Sequence, residues 1–327
     1  MKKSKAGLVL IIIGVVFIAL VPIWKWGLGP SLVKLPDTID SVSNYDGLLT
    51  LNIDPNSLSP LPPDIKLKIP VSITRKDISA PEKSSGDVAV IKETGVGVGP
   101  GGKKLTDYTK YFALDRKTGK NVTSDEANVK NRTDYSLLLG FYVDKDGTYS
   151  LWDDDTRTTG KLQFVKETTV DGFTSKNVPA IVWKGSGKNK MVVPPLGLPE
   201  KVSGAQIKAL LGNPALPYND TEMYPITFVK SVAASVISGV KTGQFLNVLD
   251  NKEEYFVDAT AAGLGEIKIG SLQLRETAFS KKRSTDGGTE AYMLLDAVST
   301  YIPLGLLIIG LIILGIGLAL YLRKQEA

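Results

Sequence analysis

The sequence predicts a mainly β (α+β) extracytoplasmic domain between two terminal transmembrane helices. The segments Ala6–Trp24 and Tyr301–Leu322 contain no charged residue. At about 1.5 Å per residue, the second segment would form a helix of about 33 Å, which is long enough to cross a bilayer core. The chain between them consists of short apolar stretches separated by turns rich in Gly, Pro, Asn and Asp. This pattern is typical of a β-rich domain.

Basic residues flank both apolar segments. Lys2, Lys3 and Lys5 precede the first, and Arg323 and Lys324 follow the second. Because Lys and Arg near membrane spans are enriched on the cytoplasmic side, we expect both termini in the cytoplasm and the large domain outside it, at the plasma membrane. The predicted boundaries are a cytoplasmic tail (1–5), a transmembrane helix (6–27), the extracytoplasmic domain (28–300), a second transmembrane helix (301–322) and a second tail (323–327).

The first apolar segment resembles a signal peptide, but it is not followed by a cleavage site. The bulky residues Trp24 and Trp26 stand where cleavage requires small side chains. We therefore predict an uncleaved anchor whose two tryptophans lie at the membrane interface and whose helix ends near Pro30.

Charge and composition exclude several classes of function. The formal net charge is +5, but residues 28–300 contain equal numbers of acidic and basic side chains, so the excess belongs to the termini. A nucleic-acid partner is excluded on this ground. The chain has no Cys and no His, which excludes zinc sites of Cys/His type and histidine-based catalytic triads. We predict no cofactor, no metal site and no catalytic residue.

Strand signals follow one another along the large domain. Ala89–Val98 and Thr106–Leu114 flank a glycine-rich turn and predict a hairpin. Ile65–Ile69 and Val71–Arg75 alternate with period two, as half-buried strands do. Further strands are predicted at Gly47–Ile53, Tyr135–Val143, Thr148–Trp152, Lys161–Val165, Thr169–Phe173, Ala180–Lys184, Phe245–Leu249, Glu254–Asp258, Glu266–Ile269 and Leu272–Ala278.

A helix outside the membrane segments is predicted after Ser203. Ser203 and Gln206 have the spacing of a capping box, and Gly212 stops the helix.

The other segments of helical character are less regular. Met223–Val240 is ambiguous and favours a strand followed by a short helix over Ser231–Ile237. Lys281–Gly288 predicts a polar hairpin loop, and Ala291–Val298 is helical and leads into the final span.

Three short motifs imitate ligand-binding loops. Gly97–Lys103 has the spacing of a phosphate loop, but Lys104 stands where Ser or Thr is required. Asp144 and Asp146 begin like a calcium loop that no Glu closes, so a β-turn is predicted. The run Asp153–Asp155 could bind a cation weakly, and a solvated turn is the preferred interpretation.

The sequence disfavours a serine hydrolase that works without histidine. Ser31, Ser175–Asn177 and Lys241–Gly243 occur in the order used by penicillin-binding enzymes. Ser31, however, stands beside Pro30 close to the membrane, where no helix can present it. The chain is therefore predicted not to be an enzyme.

Three Asn-x-Ser/Thr sequons fall in the large domain and are candidate N-glycosylation sites. They begin at Asn121, Asn131 and Asn219. They agree with an extracytoplasmic location in a glycosylating host, whereas chance occurrence in an Asn- and Thr-rich domain is the alternative.

Three motifs between the two apolar ends resemble the porin PorA family of two-anchor membrane proteins. They are Phe112–Val122, Thr148–Asp153 and Val170–Phe173. The resemblance implies a membrane protein of the cell envelope. The chain differs from the family pattern because it lacks the cysteines often found after the turn that corresponds to Asp115–Gly119, so a disulfide there is excluded. The topology also resembles that of class B scavenger receptors, in which two terminal helices hold a β-rich domain with an apolar tunnel.

Two non-catalytic functions remain open. The β-rich domain could bind or transfer a lipid or another hydrophobic ligand, and this is the preferred interpretation. The alternative is a structural envelope scaffold or a component of an oligomeric pore, with envelope proteins or further copies of the chain as partners. Since two helices cannot line a channel alone, a pore would require oligomers.

Small residues predict that the two apolar helices pack against each other. Gly7 and Gly14 lie on the first, and the second contains glycines that would permit a close approach. These are Gly305, Gly310, Gly315 and Gly317.

Overall fold

A computed structural model describes residues 5–173, 175–260 and 263–323, without the side chain of Leu196. The predicted tail residues 1–4 and 324–327, with Lys2, Lys3 and Lys324, lie outside the described residues. The chain forms two compact units. One is Leu35–Thr289, and the other is built from the described residues that precede and follow it, 5–34 and 290–323.

Among the described residues, ten strands form one antiparallel sheet in the unit Leu35–Thr289, so the mainly β prediction is confirmed. The strands are β1 (Asp40–Leu51), β2 (Leu67–Ser79), β3 (Val88–Val98), β4 (Lys104–Asp115), β5 (Tyr149–Asp153), β6 (Thr158–Val170), β7 (Val178–Lys190), β10 (Phe228–Gly239), β11 (Phe245–Asp258) and β12 (Glu266–Glu276). The sheet order is β4-β3-β2-β1-β12-β11-β10-β7-β6-β5.

The predicted hairpin is confirmed as β3 and β4, and four pairs of predicted short strands are single long strands. They are β2, β6, β11 and β12. Residues that look like breaks in the sequence, such as Pro70 and Gly270, lie within continuous antiparallel ladders. Local irregularities are absorbed as bulges, for example between Phe164 and Lys166, because a bulge keeps the ladder while admitting an extra residue.

The sheet is curled, so that its two edge strands face each other. Lys110 Nζ on β4 lies 3.3 Å from Oδ2 of Asp154, which directly follows β5. The gap between these edges is bridged by residues 116–148, which we call the seam segment. Within it, Asn121 pairs with Leu114 of β4, and Tyr135 pairs with Leu151 of β5. Asn121 N also donates to Asp134 O at 2.7 Å, which links the two halves of the seam segment.

The prediction of a strand over Tyr135–Val143 was wrong. The segment has no regular strand because Gly140 and Tyr142 have positive φ values of 82° and 54°, which extended backbone does not allow. Its apolar residues nevertheless enter the core, where Leu139 is buried beside Ile181 and Trp183. The hydrophobic run therefore predicted the burial of these side chains correctly but not the conformation of their backbone.

Two further predictions of local structure were wrong. Ser231–Ile237 is part of strand β10, in which Val232, Ala234 and Val236 lie on one face by strict alternation. Lys281–Gly288 belongs to helix α4 (Ala278–Asp296) rather than to a hairpin loop. Its Gly288 allows close packing on Leu246 rather than a turn.

A small subdomain packs on the curled sheet through a separate apolar cluster. Strands β8 (Lys201–Ser203) and β9 (Met223–Pro225) pair with each other, and helix α3 (Gly204–Leu210) follows β8. The predicted capping box is confirmed, since Ser203 Oγ accepts from Gln206 N at 3.2 Å and Gln206 Oε1 accepts from Ser203 N at 2.9 Å. Ile207 and Leu210 bury the inner face of the helix.

The second unit contains two apolar helices, α1 (Lys5–Ile23) and α5 (Ile302–Leu322). By length and composition, the helical segments Lys5–Leu32 and Ala278–Leu322 could each cross a membrane. The first helical segment ends at Leu32, close to Pro30 as expected, after a π-helical turn (Trp24–Leu28) that leads into α2 (Gly29–Leu32). Pro30 stands in the first turn of α2, where no intrahelical N–H is required.

The predicted pairing of the two apolar helices is present. They run antiparallel, with Gly7 opposite Gly317 and Gly14 opposite Gly310. A Cβ on Gly14 would lie 2.6 Å from Leu314 N, whereas a Cβ on Gly305 or Gly315 would have no atom within 4 Å. The backbones therefore approach closely at two of the four glycines named on the second helix.

Candidate ligand-binding cavity

A cavity of about 430 Å³ lies inside the curled sheet. Each of the ten described strands of the sheet contributes at least one lining residue. Ligand pockets in proteins typically have volumes of about 300–1,000 Å³, so the cavity has the size of a small-molecule site.

Strand β10 shows how polarity changes along the cavity. Lys230, Val232, Ala234 and Val236 all line it, because alternate residues of a strand face the same side. Lys230 lies at a charged end, and Val236 packs beside Ile181 and Trp183 in the apolar core. The cavity is therefore amphipathic along the direction of the strand.

The apolar part of the lining comes from both halves of the sheet and from the seam segment. It consists of Phe112, Leu137, Leu151, Leu162, Val232, Ala234, Val236, Phe245 and Val248.

Glycines on two neighbouring strands leave part of the cavity open. Gly160 on β6 and Gly187 on β7 line it. A Cβ at Gly160 would meet nothing within 4 Å, and one at Gly187 would come no closer than 3.7 Å to Asn189. Larger side chains at these positions would fill space that is now unoccupied by protein.

Three carboxylates surround the ammonium group of Lys230. Its Nζ lies 2.7 Å from Asp155 Oδ2, 3.1 Å from Asp153 Oδ1 and 3.7 Å from Glu253 Oε1. The Lys230 side chain is only 5 % exposed. Burial alone would lower the pKa of Lys230, but the three carboxylates raise it above its ordinary value, so this lysine stays charged.

A second cluster of charged residues includes Arg75 on β2 and Glu93 on β3, which both line the cavity. Arg75 Nη2 lies 3.4 Å from Asp77 Oδ2, and Arg75 Nε lies 3.6 Å from Glu93 Oε2. Burial raises the pKa of Glu93 in spite of the nearby Arg75 guanidinium. Arg75 Nε and Asp77 Oδ1 are buried without a hydrogen-bond partner among the described residues, and such atoms usually require one.

Asp154 joins the two edges of the sheet. Its Oδ1 accepts from Arg132 Nε at 2.7 Å and from Trp152 Nε1 at 2.8 Å, and its Oδ2 pairs with Lys110. Burial alone would raise the pKa of Asp154, but the Arg132 hydrogen bond and the charges of Arg132 and Lys110 hold it below its ordinary value. The turn expected at Asp153–Asp155 is present, since turn residues 154–157 follow β5. Its carboxylates are not freely solvated, however, because all three form ion pairs in the curled sheet.

Helix α4 packs against another part of the lining. Glu276, at the end of β12, accepts from Val248 N at 3.2 Å and from Ser284 Oγ at 3.0 Å. Thr285 Oγ1 donates to Leu246 O at 3.2 Å. Ser284 and Glu276 both line the cavity.

The three sequons occupy different surroundings. Asn131 and Asn219 are exposed. Asn121 lies in the seam segment, where its Nδ2 donates to Thr133 O and to Ser136 Oγ, both at 2.9 Å. The structure does not bring the three asparagines into one site.

Most residues of this site could not be predicted from the sequence. The cavity residues are distributed over the whole domain, and nothing in their spacing shows that Lys230 meets Asp153 and Asp155. The Asp153–Asp155 run was the one visible signal, since three adjacent acids beside a strand require compensation wherever the strand is buried.

These features define a class, that of a membrane-associated, β-rich protein with an internal cavity. The family model described as Porin PorA matches residues 6–319. The chain therefore belongs to the porin PorA family, and the resemblance found in its motifs is confirmed. No curated protein matches the chain.

Proposed function

We propose that this protein is anchored in the plasma membrane by α1 and α5, with both termini cytoplasmic, and that its β-rich domain binds or transfers a lipid or another hydrophobic ligand without catalysis. The observation that carries the proposal is the cavity of about 430 Å³ lined by all ten described strands of the sheet. A curled sheet without a ligand would be expected to fill its interior with side chains. Here part of the interior is left open at Gly160 and Gly187, where an added Cβ would meet no protein atom closer than 3.7 Å.

The chemistry of the lining supports binding rather than catalysis. The chain contains no His and no Cys. The acidic residues Asp153, Asp154 and Asp155 are engaged by Lys230, Lys110 and Arg132 at distances of 2.7–3.3 Å. Carboxylates held in this way stabilise the fold and are poorly suited to exchange protons with a substrate.

The proposal is tested by native mass spectrometry and lipid extraction of the full-length protein purified in a mild detergent. We expect wild-type protein to retain about one ligand per chain. Gly160→Trp should lose it, because the indole would occupy the open part of the cavity. Lys161→Trp is the matched control, since this exposed residue is adjacent to Gly160 on the same strand, and it should retain the ligand. A wild-type protein without ligand, or equal retention in Gly160→Trp, would contradict the proposal.

An oligomeric pore is the second candidate, favoured by the description of the family as Porin PorA. The two apolar helices of one chain pack on each other through Gly14 and Gly310, so a channel lined by them would need several copies. A structural envelope scaffold would need no channel. Conductance across planar bilayers, measured together with the oligomeric state in detergent, separates these two possibilities.

A further inference from the structure

We propose that the cavity prefers an amphiphile with a cationic group, such as an amine or a quaternary ammonium, over one with an anionic group. This inference rests on the proposed function and adds the charge class of the ligand. It is carried by the ionisable residues of the lining and by their partners.

The lining has an excess of negative charge. Of its described residues, three are basic and six are acidic. The basic ones are Arg75, Lys110 and Lys230, and the acidic ones are Glu93, Asp153, Asp154, Asp155, Glu253 and Glu276. Even with Glu93 protonated, the carboxylates outnumber the cations.

The three cations of the lining are already paired with carboxylates. Arg75 lies within 3.6 Å of Asp77 and Glu93, and Lys110 lies 3.3 Å from Asp154. Lys230 has three carboxylate partners. An anionic head group would therefore meet cations whose charges are already compensated, next to carboxylates that repel it.

A cationic group would meet carboxylates that outnumber the cations paired with them. Around Lys230, three carboxylates share one ammonium, and the side chains of Asp153 and Asp155 are 26 % and 39 % exposed. Their accessible oxygens could accept hydrogen bonds from an amine or lie beside a quaternary ammonium.

The apolar part of the lining would hold the remainder of such a ligand. From Lys230 the cavity-facing residues of β10 continue as Val232, Ala234 and Val236. A head group near Asp155 and an alkyl chain along β10 would therefore match the two parts of the cavity.

The test is a competition between two amphiphiles with the same alkyl chain, decyltrimethylammonium and decanoate. Full-length protein in maltoside detergent is incubated with equal concentrations of both, and the bound species are counted by native mass spectrometry. We expect the cationic probe to be retained at least tenfold more than decanoate. Asp155→Asn and Glu253→Gln should each reduce this ratio several-fold. Asp144→Asn, in an exposed turn away from the lining, should leave it unchanged.

The outcomes separate this inference from the proposed function. A wild-type ratio near one, or a preference for decanoate, overturns the inference and leaves ligand binding intact. Retention of neither probe, with Gly160→Trp indistinguishable from wild type, overturns both. The wild-type ratio decides the question even where a variant fails to fold.

Discussion

Asp154 connects the two edges of the curled sheet through ion pairs with Lys110 and Arg132. Arg132, its main partner, has a side chain only 2 % exposed. Asp154→Asn would leave this guanidinium buried without a carboxylate, and we expect the free energy of unfolding to fall by about 3 kcal/mol, as for other buried pairs that lose one partner. Chemical unfolding at neutral pH, followed by tryptophan fluorescence, measures this loss. Asp125→Asn is the control, because its pair with Lys130 is exposed and no change is expected.

The contribution of Asp154 to stability should also depend on pH. The pKa of Asp154 is lower in the folded protein than its ordinary value. Its contribution is therefore fully present above the unfolded pKa of about 3.9 and is lost as the pH falls through the lower folded value. We expect the stability difference between wild type and Asp154→Asn to be constant between neutral pH and about pH 5, and to shrink below about pH 4. A difference that shrinks above pH 6 would contradict this assignment.

The surroundings of the three sequon asparagines predict that they differ in glycosylation. We propose glycosylation at the exposed Asn131 and Asn219 but not at Asn121, because the Nδ2 atom of Asn121 donates two hydrogen bonds within the seam segment. Expression in a glycosylating host, followed by glycopeptide mass spectrometry, tests this. Asn121→Gln should lower the thermal stability, whereas Asn131→Gln should not. A glycan on Asn121 in the folded protein would contradict the expectation.

At the scale of single residues, the sequence predicted local partners and missed distant ones. The Ser203–Gln206 capping box was predictable because both partners lie within one helical turn. The partners of Asp154 were not predictable. Lys110 and Arg132 are separated from it by 44 and 22 positions, respectively, and contact it only when the sheet curls.

At the scale of elements, the antiparallel pair of α1 and α5 depends on close backbone contact. We expect Gly14→Leu and Gly310→Leu to destabilise the pair by about 1–3 kcal/mol or more, because the added side chain must separate the helices. Thermal unfolding of the full-length protein in mild detergent measures the effect. Gly305→Leu and Gly315→Leu are matched controls, because a Cβ at either glycine meets nothing within 4 Å. Equal stability of Gly310→Leu and Gly315→Leu would refute this packing.

The prediction of elements succeeded where periodicity and length agreed. The β3–β4 hairpin and the apolar helices followed from pattern alone. The conformation of the seam segment did not follow from the pattern. Its apolar run lies between the two edges of the sheet, and its backbone is bent by positive φ at Gly140 and Tyr142. The end of helix α4 was predicted as part of the helical segment Ala291–Val298. Residues 281–288 were predicted as a loop because Gly287 and Gly288 are typical of turns, whereas Gly288 here gives room to Leu246.

At the scale of the whole molecule, the proposed orientation can be tested with introduced cysteines, since the chain has none of its own. Phe173, which is 83 % exposed, lies in the domain that we place outside the cytoplasm, and Arg323 follows the second span. We expect a membrane-impermeant maleimide to label Phe173→Cys in intact cells, and to label Arg323→Cys only after the membrane is opened. The reverse pattern would contradict the proposed topology.

The fold class and the family could be predicted from the sequence because they depend on apolar end segments, short strands and local motifs. The curl of the sheet could not, since it results from the contacts of β4 and β5 through the seam segment. The internal cavity depends on that curl, and on glycines such as Gly160 whose meaning appears only once their neighbours are known.

The most direct measurement of the central claim is an experimental density map of the full-length protein purified from its own membrane. The proposal predicts continuous density that no protein atom explains, extending from Asp155 along Val232 and Val236, together with a ligand recovered by extraction of the same sample. A cavity that is collapsed or contains only water, in a sample that yields no extractable ligand, would contradict it.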